Sequence, residues 1–127
     1  MDLDLHCLTQ LNQSHHHVYH SEKNKDDEFK CGVMLDIDVT SGKGPETITV
    51  NSQSGRTYMF YVKNFSQHPL LSSSQASLKV LGVPGLTEPI MIPSGACNQD
   101  QIFWEVFRMI DGRVTVVNKI VKNEPTL

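Results

Sequence analysis

Apolar and polar residues alternate with a period of two in several short stretches of this chain. In Asp2-Leu3-Asp4-Leu5-His6 the leucines fall on one side and the acids and histidine on the other. Leu35-Asp36-Ile37-Asp38-Val39 repeats the arrangement, and Tyr58, Phe60 and Val62 alternate with Met59, Tyr61 and Lys63. Such a period assigns each set to one face of a pleated strand. Turn-forming clusters separate these runs at short intervals, among them Asn24-Lys25-Asp26-Asp27, Ser41-Gly42-Lys43-Gly44-Pro45, Asn51-Ser52-Gln53-Ser54-Gly55, Gly82-Val83-Pro84-Gly85 and Pro93-Ser94-Gly95. The spacing predicts an all-β fold with strands over 3–9, 16–20, 33–39, 47–50, 57–64, 76–81, 88–92, 102–110 and 113–121. The expected architecture is a single antiparallel β-sandwich, Ig-like or jelly-roll-like, of about seven to nine strands. Residues 21–30 and 65–75 are polar and read as loops.

The segment 102–110 fits two patterns. Phe103, Val106, Phe107 and Ile110 fall on a helical stripe, yet Asp111-Gly112 follows directly and a β-branched run follows that. Asp-Gly between two such runs is the strongest short hairpin signal, because a type I′ turn needs positive φ at both central residues. The sequence therefore predicts an antiparallel hairpin of 102–110 with 113–121, with Trp104 mostly buried.

Composition narrows the class. The 127 residues make one domain, with 39% hydrophobic, 7% aromatic and 20% charged residues, a globular balance. The net charge of −3 argues against a general nucleic-acid binder. Charge is uneven: residues 1–40 hold eight acids against three lysines, and the remainder six acids against eight basic residues. No apolar run reaches the roughly 20 residues that span a bilayer, so no membrane insertion is expected. Met1-Asp2-Leu3-Asp4 shows no basic, apolar leader. Cys7, Cys31 and Cys97 include no C-x-x-C pair, which disfavours a zinc ribbon. One disulfide with one thiol, or three thiols, both remain open.

Read in order, these residues resemble a bacterial family, the YfaP-type β-sandwich domain of unknown function found with von Willebrand A-like modules. The resemblance rests on Asp2-Leu3-Asp4-Leu5-His6, Val18-Tyr19, the stretch from Leu35 through Gly42-Lys43-Gly44-Pro45-Glu46 to Thr49, Tyr61–Ser66, Ser74–Val80, Trp104–Phe107, Asp111-Gly112 and Val117-Asn118. It implies a secreted or cell-surface setting and carries no catalytic activity with it. The family has a strand before the first box, where only Met1 stands here. The chain is therefore expected to lack its first strand or to be excised from a larger protein, with 3–9 left beside an unpaired position and open to self-association. Cys7 and Cys31 also depart from the family pattern.

Three constellations carry candidate chemistry. Asp2, Asp4, Asp36 and Asp38 form two acidic strand faces, and like charges on neighbouring positions need compensation. If the two strands lie side by side, these carboxylates and Glu46 match the oxygen ligand set of Ca²⁺. The bland alternative is that the aspartates pin turns through their backbone. His15, His16, His17 and His20, with His6 nearby, form a second cluster, in which His15 and His17 share a strand face and suit a metal such as zinc. The competing reading is a polar surface tract. The aromatic residues Tyr58, Phe60, Tyr61, Phe65, Phe103, Trp104 and Phe107 occupy both strand parities, so a sugar-stacking platform and a core role both remain open. Asn12-Gln13-Ser14 and Asn64-Phe65-Ser66 are glycosylation sequons if the chain is secreted from a eukaryote. There is no Gly-x-Ser-x-Gly elbow, His-Glu-x-x-His helix or P-loop.

The function expected is a non-catalytic accessory or interaction module of a surface or secreted protein, with calcium its expected cation and an unidentified protein or glycan its partner. A carbohydrate-binding module is the alternative. A metal-dependent hydrolase built on the His-rich segment is a third, and a cytoplasmic setting is not excluded by the sequence.

Overall fold

The computed structural model describes residues 3–11, 14–19, 33–38, 46–50, 55–65, 70–83, 85–95, 97–111 and 113–127. For 11, 14–16, 18–19, 33–38 and 46–50 the description is of the backbone. The fold is all-β and antiparallel. Among the described residues its strands are β1 (Leu3–Leu11), β2 (Ser14–Tyr19), β3 (Val33–Asp38), β4 (Glu46–Val50), β5 (Thr57–Asn64), β6 (Ser77–Leu81), β7 (Ile90–Met91), β8 (Phe103–Ile110) and β9 (Arg113–Val121), and Leu71–Ser73 forms a 3₁₀ turn. Each falls on a run that the alternation predicts, with ends shifted by a few residues.

A five-stranded sheet has the order β2-β1-β5-β8-β9 and a four-stranded sheet the order β4-β3-β6-β7. The alternation on β1 translates directly into burial. Leu3, Leu5 and Cys7 are buried with Tyr58, Phe60 and Val62 of β5 and Trp104, Val106, Phe107 and Met109 of β8. Leu78 and Val80 of β6 and Ile90 of β7 belong to the same cluster, so one apolar core joins both sheets.

The β1 strand is not an edge. It pairs with β2 from His6 to Leu11 and with β5 from Leu3 to Gln10. This corrects the expectation that 3–9 stands beside an unpaired position, because 14–19 folds back to fill it. Among the described residues the edges of the larger sheet are β2 and β9.

The hairpin expectation holds. Ile110 stands opposite Arg113 across the two-residue turn, and Trp104 is fully buried. Asp111 takes φ of 50°, as a type I′ turn requires, and its Oδ1 accepts a hydrogen bond from the Gly55 amide at 2.7 Å. The register of β8 slips against β5 between Phe60 and Tyr61, and against β9 between Glu105 and Phe107. A bulge at this point turns both Val106 and Phe107 toward the core. The four residues of the apparent helical stripe therefore divide: Val106 and Phe107 enter the core, Phe103 joins the cluster on the opposite face and Ile110 is exposed. On β9 the irregularity is absorbed by Asn118 at φ of 53°, whose Oδ1 accepts the indole N–H of Trp104 at 2.8 Å.

Candidate functional site

The alternate positions of β1, Asp4, His6, Leu8 and Gln10, lie on the outer face of the five-stranded sheet. They stand opposite Lys63, Tyr61, Met59 and Thr57 of β5 respectively. On the other side, Leu8 stands opposite His17 and His6 opposite Tyr19. His6 and His17 are thus diagonal neighbours across the β1–β2 pair, a separation that ring side chains bridge. The His6 Nδ1 and His17 Nε2 atoms are 2.7 Å apart. The Tyr61 hydroxyl lies 3.2 Å from His17 Nε2 and donates to Glu124 Oε2 at 2.9 Å. The His6 and Tyr61 rings stack with centroids 4.8 Å apart.

These atoms form a row, imidazole, imidazole, phenol, carboxylate, laid across β1, β2, β5 and the segment after β9. With the Tyr61 proton directed at Glu124, His17 Nε2 is the donor that can serve both Tyr61 Oη and His6 Nδ1. His6 is buried although its place in the alternation is polar. Burial, followed by the neighbouring His17 and Lys63, pushes its imidazole down to about 3. It is therefore a neutral ring at ordinary pH.

The C-terminal segment, 122–127, lies beside this row. After β9 it returns over the outer face. Glu124 reaches Tyr61, the Thr126 carbonyl accepts from Arg108 Nη2 at 3.3 Å, and Pro125 is buried. Met59, Tyr61 and Phe103 make a second apolar cluster on this face, flanked by Leu8, Ile102 and Val121. A groove of about 400 Å³ runs beside the row, with Leu8, Thr9, His17, Glu124, Pro125 and Leu127 in its walls.

The sequence-level candidates fall differently from the expectation that two acidic strands adjoin. Asp4 is on β1 and Asp36 and Asp38 are on β3, which belong to different sheets. The neighbours of β3 are β4 and β6, so the side-by-side arrangement does not occur. Asp4 stands opposite Lys63, and Asp36 is in register with Lys79. Glu46 is in register with Ile37, out of phase with Asp36 and Asp38. Asp2, His20 and Cys31 lie outside the described residues, as do the side chains of His15, His16, Asp36, Asp38 and Glu46. Among the described residues no group of three His, Cys, Asp or Glu side chains is disposed to hold a metal ion. No helix among the described residues is long and apolar enough to cross a membrane.

Of the aromatic candidates, Tyr58, Phe60, Tyr61, Phe103, Trp104 and Phe107 are buried, and Phe65 is exposed beneath the Lys63 ammonium, 5.3 Å from its centroid. Asn64 is buried, which removes the second sequon as an acceptor of a bulky glycan. Of the row, the alternation and the histidine count point to His6 and His17. Tyr61 and Glu124 carry no such signal, because their roles depend on strand register and on the path of the C-terminal segment. Compared with known proteins, the chain matches no family model, no curated protein and no solved structure.

Proposed function

We propose that the chain is a non-catalytic interaction module, a single antiparallel β-sandwich whose partner-facing element is the edge strand β9. The sandwich reading is supported by the apolar core that both sheets contribute to. The observation that carries the interaction reading is the edge itself. Arg113–Val121 is nine residues long, closes one end of the five-stranded sheet, and exposes Val116 by half of its surface. An edge of that length presents a row of backbone donors and acceptors to a further strand. Arg113 and Lys119 are both exposed on it and suit a partner strand that is not itself basic at those positions.

A secreted or cell-surface setting and kinship with the YfaP-type domain belong to the same proposal and rest on the sequence motifs alone. Glycan binding through an aromatic platform has less support, since Phe65 is the one exposed aromatic ring among the described side chains. Calcium binding by the acidic strands is weakened by the lysines that stand opposite Asp4 and in register with Asp36.

Self-association is the direct test. Sedimentation velocity over a wide concentration range should show reversible dimers, and hydrogen exchange should show β9 amides gaining protection with concentration. Val116→Lys should abolish both. A monomer at all concentrations, with β9 amides unprotected throughout, overturns the homotypic edge.

A further inference from the structure

We infer that the partner of β9 is an extended acidic peptide, which adds as a strand along the first half of β9 and places a carboxylate beside Lys119. The inference rests on the edge reading above and names the chemistry of the partner that the edge takes.

Charge on β9 runs against that of the chain. The protein is acidic, with a net charge of −3, yet residues 113–122 contain Arg113, Lys119 and Lys122 and no acid. All three cations are exposed. The acids close to them in sequence or register are engaged elsewhere. Asp111 accepts from the Gly55 amide at 2.7 Å, Glu105 holds Arg108 at 3.2 Å, and Glu124 accepts from the Tyr61 hydroxyl at 2.9 Å. The cations of β9 are thus left for a carboxylate from outside, and opposite charges on facing strand positions are favourable. A second copy of β9 laid edge to edge would bring like charges together, which weakens homotypic pairing relative to an acidic strand.

Register and burial set which part of the edge a strand can follow. From Arg113 opposite Ile110 to Val116 opposite Phe107 the pairing with β8 is regular. Val114 packs against the core and Val116 is half exposed, whereas Arg113 and Thr115 alternate with them and are exposed. An added strand therefore meets valines at one parity and Arg113 and Thr115 at the other, which favours a peptide that alternates β-branched and acidic residues. Asn118, at φ of 53°, interrupts the strand, and beyond it the Ile120 carbonyl accepts from Gln101 Nε2 at 3.5 Å. The last residues of β9 line a groove of about 330 Å³ together with Pro93, Cys97 and Gln101. Among the described residues of that lining Lys119 alone is charged, so the groove suits a carboxylate from the end of the added strand.

The test is fluorescence anisotropy of a labelled, end-capped peptide of about eight alternating glutamate and valine residues, with hydrogen exchange of the full chain in its presence. Saturable binding is expected, with amides of 113–117 gaining protection and affinity falling as salt rises. The same peptide with lysine in place of glutamate should bind about tenfold more weakly or worse. An Arg113→Gln, Lys119→Gln double variant alters exposed side chains only, and should lose about threefold to tenfold in affinity for the acidic peptide. Val116→Lys should remove the protection of β9 by the peptide. Equal protection of β9 by acidic and basic peptides overturns the inference and leaves the edge reading standing. So does an acidic peptide that fails to bind while β9 gains protection with protein concentration. Undiminished binding in the double variant overturns it as well, and assigns the peptide to another surface. No protection of β9 by either peptide or by concentration overturns the inference and the edge reading together.

Discussion

The two faces of the five-stranded sheet are built from the same strands and closed by different means. The inner face is mainly apolar: Leu5, Phe60, Val62, Trp104 and Phe107 belong to one core cluster with Leu78 and Val80 of β6 and Ile90 of β7. The outer face carries Asp4, His6, His17, Tyr61, Lys63 and Glu105, and six residues of irregular chain lie against it. Burial on the inner face follows from the hydrophobic effect acting on a period-two pattern. The outer face combines an apolar cluster of Met59, Tyr61 and Phe103 with polar contacts that tie a C-terminal segment down. A single strand can thus present an insensitive face and a condition-dependent one.

The contrast predicts where truncation hurts most. Trp104→Ala on the inner face removes a fully buried indole and its bond to Asn118, and should cost about 3–5 kcal/mol in urea denaturation. Substitutions of the polar outer-face residues Asp4, Lys63 and Glu124 should cost less.

Acid should act through the outer face. The His6 imidazole titrates at about 3 in the fold against an ordinary 6.5. The unfolded chain therefore binds the proton first as pH falls. The stability contributed by neutral His6 is complete above pH 6.5 and is lost progressively between 6.5 and 3, by at most about 1.4 kcal/mol per unit. Denaturation midpoints measured from pH 7 to 4 should fall in the native chain and fall less steeply in His6→Gln. Parallel slopes would assign the acid sensitivity to other groups.

A smaller effect separates the C-terminal segment from the sheet. Tyr61→Phe retains the stack on His6 and deletes the hydroxyl that joins His17 to Glu124. It should cost about 1 kcal/mol, and amides of 122–127 should exchange faster while those of β5 and β8 keep their protection. Equal acceleration on both faces would show that the segment and the core unfold as one unit.

The smallest effect expected is that of calcium. With Lys63 opposite Asp4 and Lys79 in register with Asp36, the acidic strand positions have basic neighbours. Thermal melts in chelator and in millimolar calcium should coincide. A calcium-dependent rise in Tm that is lost in an Asp36→Asn, Asp38→Asn double variant would restore the oxygen-ligand site to β3.

Much of the framework was legible in local pattern. Alternation marked the strands because a pleat assigns odd and even residues to opposite sides whatever the fold. Asp111-Gly112 marked the β8–β9 turn because few residue pairs tolerate positive φ at both positions. Leu3, Leu5 and Cys7 were separable from Asp4 and His6 on the same ground, and their burial follows that separation except at His6. The bulge at Val106 was not legible in the sequence, since period alone does not distinguish the adjacent apolar pair Val106-Phe107 of a parity shift from a turn of helix.

What tertiary structure decided was adjacency. Nothing local to 1–9 or 33–39 specifies whether those strands are neighbours, and the two acidic runs went to different sheets. Sheet order depends on loop closure and on the apolar burial that the whole chain can reach, which are properties of distant residues taken together. The same holds for the row His6, His17, Tyr61 and Glu124, whose members are separated by 11, 44 and 63 residues in the contacts they make. Their chemistry was present in the sequence as residue types. The antiparallel register of β1 between β2 and β5, and the return of the C-terminal segment over that face, brought them within hydrogen-bonding distance.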